Sequence, residues 1–96
     1  MAVAKRASEE DKQRLFLAFA DTNDPKLVQA LMEDLCTIGE VHEMAQRLTV
    51  AFMLDSGESY LAIQEKTGAS ATTIARVSKC LNYGAGGYRS VIDRRQ

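Results

Sequence analysis

The sequence predicts an all-α protein of about six helices that carries a helix-turn-helix, and three observations support that expectation. Ala, Leu, Glu, Lys, Gln, Arg and Met, the better helix formers, dominate the 96 residues, and there is one proline, Pro25. Hydroxyl or acidic residues stand at the starts of apolar runs spaced by three and four. No alternating strand pattern, internal repeat or low-complexity tract appears. The length fits a single helical domain, residues 1–96.

Taken in order, Ser8 followed by Glu9, Glu10 and Asp11 reads as a helix start, with acids beside the positive end of the dipole. Leu15, Phe16, Phe19 and Ala20 form its apolar stripe, and "DTNDP" ends it. Asp24 caps a second helix with Pro25 in its first turn, where a missing N–H is harmless, and Leu27, Val28, Leu31, Met32 and Leu35 follow. Thr37-Ile-Gly-Glu40 matches a capping box for a third helix. Its apolar residues, Val41, Met44, Ala45, Leu48, Ala51, Phe52 and Leu54, cover more than one side, as on a helix buried by several neighbours or by a second subunit. "DSGES" stops it, with Gly57 suited to a left-handed cap. Ser59 caps a short helix from Tyr60 to Lys66 whose inward residues are Leu61, Ala62 and Ile63. After Gly68, Ser70 caps a helix running to about Asn82, with Ile74, Val77 and Leu81 inward. "NYGAGG" breaks the chain before a last helical stretch, Tyr88 to Arg95, anchored by Val91 and Ile92.

Composition narrows the function classes. No apolar run is long enough for a membrane span, and the charged N-terminus, MAVAKRASEEDKQR, lacks the apolar segment of a secretory signal, so the expected location is cytoplasmic. Cys36 and Cys80 read as reduced, buried, small hydrophobes. With His42 as the one histidine they are too scattered for a zinc site, and no cofactor is expected. His42 reads as a surface or interface residue. There is no Ser/His/Asp order and no phosphate-cradling glycine loop, and Glu9 and Glu10 point apart on a helix, so the chain does not read as an enzyme.

Net charge is −1, which by itself speaks against a nucleic-acid binder, but its distribution speaks the other way. Residues 1–58 hold six Lys/Arg against eleven Asp/Glu. Residues 59–96 hold Lys66, Arg76, Lys79, Arg89, Arg94 and Arg95 against Glu65 and Asp93. A basic end can meet a polyanion, or the charges can simply be solvated.

The stretch from about 59 to 82 has the parts of a helix-turn-helix: a short helix, a three-residue turn around Gly68, and a second helix. Glycine permits the positive φ of a tight turn. Ile63, Ile74 and Val77 can lock the helices together, leaving Ala71, Thr72, Ala75, Arg76 and Lys79 on the other face. Small residues there allow close approach to base edges, and alanine and threonine methyls can meet thymine methyls. Ser70, Thr72 and Thr73 can donate to phosphates. Plain helical bundles also contain helix–glycine–helix, so the pattern alone leaves a helical interaction module open beside a DNA reader. Arg76 likewise reads as a phosphate contact, a ligand clamp or a solvated charge, and Lys66 and Lys79 as general electrostatic or solubility charges. Tyr83 reads as a packing residue at a helix end, with a nucleic-acid stacking role as the alternative, and Met32, Met44 and Met53 read as core.

"DLCTIGEVHEMAQRL" and "AQRLTVAFMLDSGESYLAIQEKTGASATTIARVSKCLNYG" carry a further signal. They resemble the Trp-repressor superfamily and its YerC/YecD-like, Trp-repressor-related bacterial subgroup, over roughly residues 25–90. The resemblance implies an intertwined homodimer with two projecting helix-turn-helix heads, acting as a transcriptional repressor on a palindromic duplex operator. The family's operator contacts, carried over by position, fall on Gln64, Gly68, Ala69, Ser70, Ala71, Thr72, Thr73 and Ala75. Of the two arginines that clamp the family's tryptophan corepressor, one matches Arg76. The other falls on Gln46, with Arg47 beside it but turned by about 100°. This departure predicts that tryptophan is not the effector and leaves open whether any small-molecule corepressor is used.

Overall fold

The computed structural model describes residues 5–95, so Met1 to Ala4 of the charged N-terminal stretch, and Gln96, lie outside the described residues. Six helices follow one another: α1 Glu9–Ala20, α2 Pro25–Leu35, α3 Ile38–Asp55, α4 Tyr60–Thr67, α5 Ala71–Tyr83 and α6 Gly87–Arg95. Among the described residues there is no strand, and no helix is long and apolar enough to cross a membrane. The chain divides into two compact units, the first ending at Thr37 and the second beginning at Ile38.

In the first unit the helix starts are closed by their own side chains. Ser8 Oγ accepts from Asp11 N at 3.0 Å while Ser8 N donates to Asp11 Oδ2 at 3.2 Å, a reciprocal box that satisfies two orphan donors. Asp24 Oδ1 accepts from Lys26 N at 2.9 Å, and Pro25 occupies the first helical position. No residue of α1 or α2 is fully buried. Phe16, Leu17, Leu27 and Leu35 keep 54–59% of their surface exposed.

The second unit is built on α3, against which α4, α5 and α6 pack. Its core is Val50 and Ala51 of α3, Ile63 of α4, Ala69 of the turn, Ile74 and Val77 of α5, and Ile92 of α6, none more than 4% exposed. Each buried Ile or Val contributes about 1.5–3 kcal/mol from the surface it removes from water. Arg89 of α6 reaches Asp55 at the end of α3, with 2.7 Å between Nη2 and Oδ1, and also bonds Asp93. Those two hydrogen bonds, the one donated to Asp55 first, raise the Arg89 pKa above its ordinary value, so the guanidinium stays charged.

Several inward assignments change. Leu61 is 65% exposed, because it stands about 200° around α4 from Ile63, and a helix of eight residues buries one edge. Ala62 is half-buried. Val91 is exposed while its neighbour Ile92 is fully buried, so α6 is anchored by Ile92. Tyr83, the last residue of α5, is 86% exposed and is not a packing residue in this chain; it lies about 200° from the inward Leu81. Cys80 is exposed, not buried, on an open groove it lines with Gly84, Ala85, Gly87, Tyr88 and Val91. Cys36 is half-buried. Met32, Met44 and Met53 are also half-buried, with Met53 packed against the core.

Candidate nucleic-acid interface

The helix-turn-helix is assembled from three local devices. Ser59 Oγ accepts from Ala62 N at 3.1 Å to start α4, and Ser70 Oγ accepts from Thr73 N at 3.1 Å to start α5. Between them Gly68 adopts the left-handed region, with φ of 77°, and its N–H bonds Gln64 O at 2.9 Å, closing α4. The third device is Thr67, a residue the sequence reading passed over. Its hydroxyl donates to Ile63 O at 2.7 Å and accepts from Ala69 N at 3.1 Å, stapling the turn to the helix before it. A threonine directly before a helix-ending glycine is the signal that would have found it.

Packing then decides which face of α5 looks outward. Ile74, Val77 and the partly buried Leu81 form one row. At about 100° per residue, Thr72 and Lys79 lie nearly opposite that row, with Ala75 and Arg76 flanking them. Ala71, Thr72, Ala75, Arg76 and Lys79 are all exposed. Neither Arg76 nor Lys79 has a carboxylate partner among the described residues. Lys66, by contrast, is paired with Glu58 at 2.6 Å, and Arg89 is held by Asp55 and Asp93. Arg76 and Lys79 are therefore cations of the helix-turn-helix left without an ion pair, and the small residues Ala71, Thr72 and Ala75 precede them on the same outward face.

The remaining residues singled out from the sequence divide between surface and scaffold. Gly68 and Ser70 are exposed, and Gln64 and Thr73 are half-buried. The Ser70 hydroxyl is used twice within the cap, accepting from Thr73 N and donating to Thr73 Oγ1 at 3.1 Å. Ala69 is 4% exposed and belongs to the core, so its methyl is not on the outward face; a turn has no periodicity from which to read this.

Gln46 and Arg47, the candidate effector residues of α3, are both half-buried. The Gln46 amide already has a protein partner: Nε2 donates to the main-chain carbonyl of Thr67 at 3.0 Å. It lines a groove of about 200 Å³ together with His42, Ala45, Thr49, Lys66 and Thr67. Arg76, the other half of the expected clamp, is exposed on α5.

Known proteins give the same geometry a context. A crystal structure of a TrpR-like protein from Eubacterium eligens ATCC 27750 matches with a TM-score of 0.82 at 45% identity, covering 85% of this chain and 84% of that one. That of a candidate Trp repressor from Staphylococcus aureus matches with a TM-score of 0.86 at 33% identity, over 92% of this chain and 88% of that one. The uncharacterized protein YerC of Bacillus subtilis (strain 168) is 42% identical over 85 residues, 88% of this chain and 82% of its own. The family model described as Trp repressor protein matches residues 10–96, so this chain belongs to the Trp repressor family.

Proposed function

We propose that this protein is a sequence-specific, duplex-DNA-binding transcriptional regulator, a repressor by its family, that reads a palindromic operator as a homodimer. The observation that carries the reading is the outward face of α5, where the small residues Ala71, Thr72 and Ala75 lead into Arg76 and Lys79, two cations with no carboxylate partner among the described residues. A helix of 13 residues is about 20 Å long and fits a major groove about 12 Å wide. Ala71 and Thr72, in its first turn, are the base-edge contacts in this reading, with Ala75 beside them. Arg76 and Lys79 serve the phosphates, which supply affinity and orientation without sequence information. Ser70 and Thr73 set the first turn, and Gln64, Gly68 and Ala69 bring the backbone to the strand.

The homodimer reading rests on the apolar surface left open in a single chain. Phe16, Leu17, Leu27 and Leu35 are more than half exposed, and Ile38 is 92% exposed. A second copy would cover these stripes. Such a dimer presents two α5 helices, and half-sites one helical turn apart would match them. A role on DNA puts the protein in the cytoplasm, with no catalytic activity of its own. The Gln46 amide, engaged with Thr67, also favours a regulator that does not use tryptophan.

Selection of bound duplexes from a random pool tests the reading. The expected product is a palindrome with half-sites about 10 base pairs apart. A pool that yields no enriched sequence would contradict it.

A further inference from the structure

We propose that Gln46 is a positioning residue for DNA recognition: its side-chain amide sets the angle at which the α4–α5 head stands on α3. This rests on the DNA-reading role proposed above for α5. The hydrogen bonds of the turn fall into two groups. Gly68 N to Gln64 O, Ala69 N to Thr67 Oγ1 and Thr67 Oγ1 to Ile63 O tie the head to itself. The bond from Gln46 Nε2 to Thr67 O, at 3.0 Å, spans 21 residues of sequence and ties the head to α3. Its acceptor is one of the last four carbonyls of α4, which have no partner within their own helix.

Val50 and Ala51 of α3 share an apolar cluster with Ile63 of α4, Ala69 of the turn and Ile74 and Val77 of α5. Apolar burial is itself non-directional, and side-chain packing sets a helix crossing angle as a preference with about 15–20° of scatter. A hydrogen bond is directional, weakening steeply away from linearity. Gln46 stands about 6 Å along α3 from Val50, so it forms a second attachment point away from the core. The lever matters because a rotation of roughly 10° moves the far end of a 20 Å helix by roughly 3.5 Å, more than a base contact tolerates. Loss of the bond therefore degrades base readout while leaving the surface cations in place.

The test compares Gln46→Met and Gln46→Glu, which lack the donor, with Gln46→Lys, which keeps one on a stem one bond longer. The probes are the duplex selected by the unaltered protein and poly(dI-dC). In the Met and Glu variants, amide exchange at Gly68 and Ala69 should rise about tenfold and affinity for the selected duplex should fall about tenfold. In the charge-neutral Met variant, affinity for poly(dI-dC) and α6 exchange should stay within about twofold of the unaltered protein, and Gln46→Lys should keep the turn protected. Unchanged turn exchange, or equal losses on both duplexes, would overturn the positioning role while leaving the DNA reading intact. Failure of the unaltered protein to bind any duplex would instead overturn the DNA reading, and this role with it.

Discussion

Replacing Gly68 by alanine isolates what the turn of the helix-turn-helix requires of its backbone. At this position φ is 77°, and an added Cβ would meet Gln46 Nε2 at 4.0 Å, ordinary contact rather than a clash. The cost is therefore conformational. An L-residue held in the left-handed region loses about 1–2 kcal/mol. The stiffer unfolded chain of the alanine variant returns about 0.4–1 kcal/mol of that. The net expectation is a destabilisation of about 1 kcal/mol, a modest part of the roughly 5–14 kcal/mol usual for a chain of this length. Gly68→Asn should lose less, because asparagine visits this region, and Gly68→Val more, because a branched side chain does so rarely. Urea unfolding at fixed protein concentration reads this as a midpoint lowered by about 0.5 M with an unchanged slope. Gly57, with φ of 82° and nothing within 4 Å of its added Cβ, serves as the control and should lose a similar amount. A Gly68→Ala loss several times that of Gly57→Ala would refute the reasoning, since a contact rather than the backbone would then set the cost.

Three further outcomes are expected. Unfolding midpoints should rise with protein concentration from low to high micromolar, as for a dimer whose monomers are not separately stable, and a concentration-independent melt with a monomeric mass would contradict the dimer. Ala71→Leu or Thr72→Leu should change which sequences are selected from a random pool, and an unchanged preference would mean that another surface reads the bases. Calorimetric titration should detect no tryptophan binding in the micromolar range, with or without DNA; micromolar binding that strengthens DNA affinity would implicate Arg76, with Gln46 or Arg47, as a ligand clamp.

Much of the fold was legible because its punctuation is local. Ser8, Asp24, Ser59 and Ser70 each cap the helix that the sequence places after them, and Gly57 and Gly68 both take positive φ. The row Ile74, Val77, Leu81 was readable because α5 is long enough to display its period. Faces of short elements were not. Tyr60, Leu61, Ala62 and Ile63 are consecutive apolar residues, and in α4 one of them is fully buried, a choice made by tertiary packing. Val50, fully buried, was hidden in α3 among apolar residues on several sides. At the candidate interface, the outward set Ala71, Thr72, Ala75, Arg76 and Lys79 follows from helical geometry once the inward row is known. The burial of Ala69 and the bond from Gln46 to Thr67 do not, since one lies in a turn and the other joins residues far apart in sequence.

The most direct test of the outward face of α5 as a DNA-reading surface is the salt dependence of binding to the selected duplex, measured for the unaltered protein and for Lys79→Ala. Each phosphate neutralised contributes about 0.9 to the slope of log affinity against log salt. Lys79 is exposed and has no carboxylate partner among the described residues, so on the proposed reading its loss removes a phosphate contact without disturbing the fold. The expected result is steep salt dependence in the unaltered protein, and a slope flatter by about one unit per bound protomer in the variant, with the preferred sequence retained. Salt-independent binding, or a variant whose slope and affinity match the unaltered protein, would contradict the account.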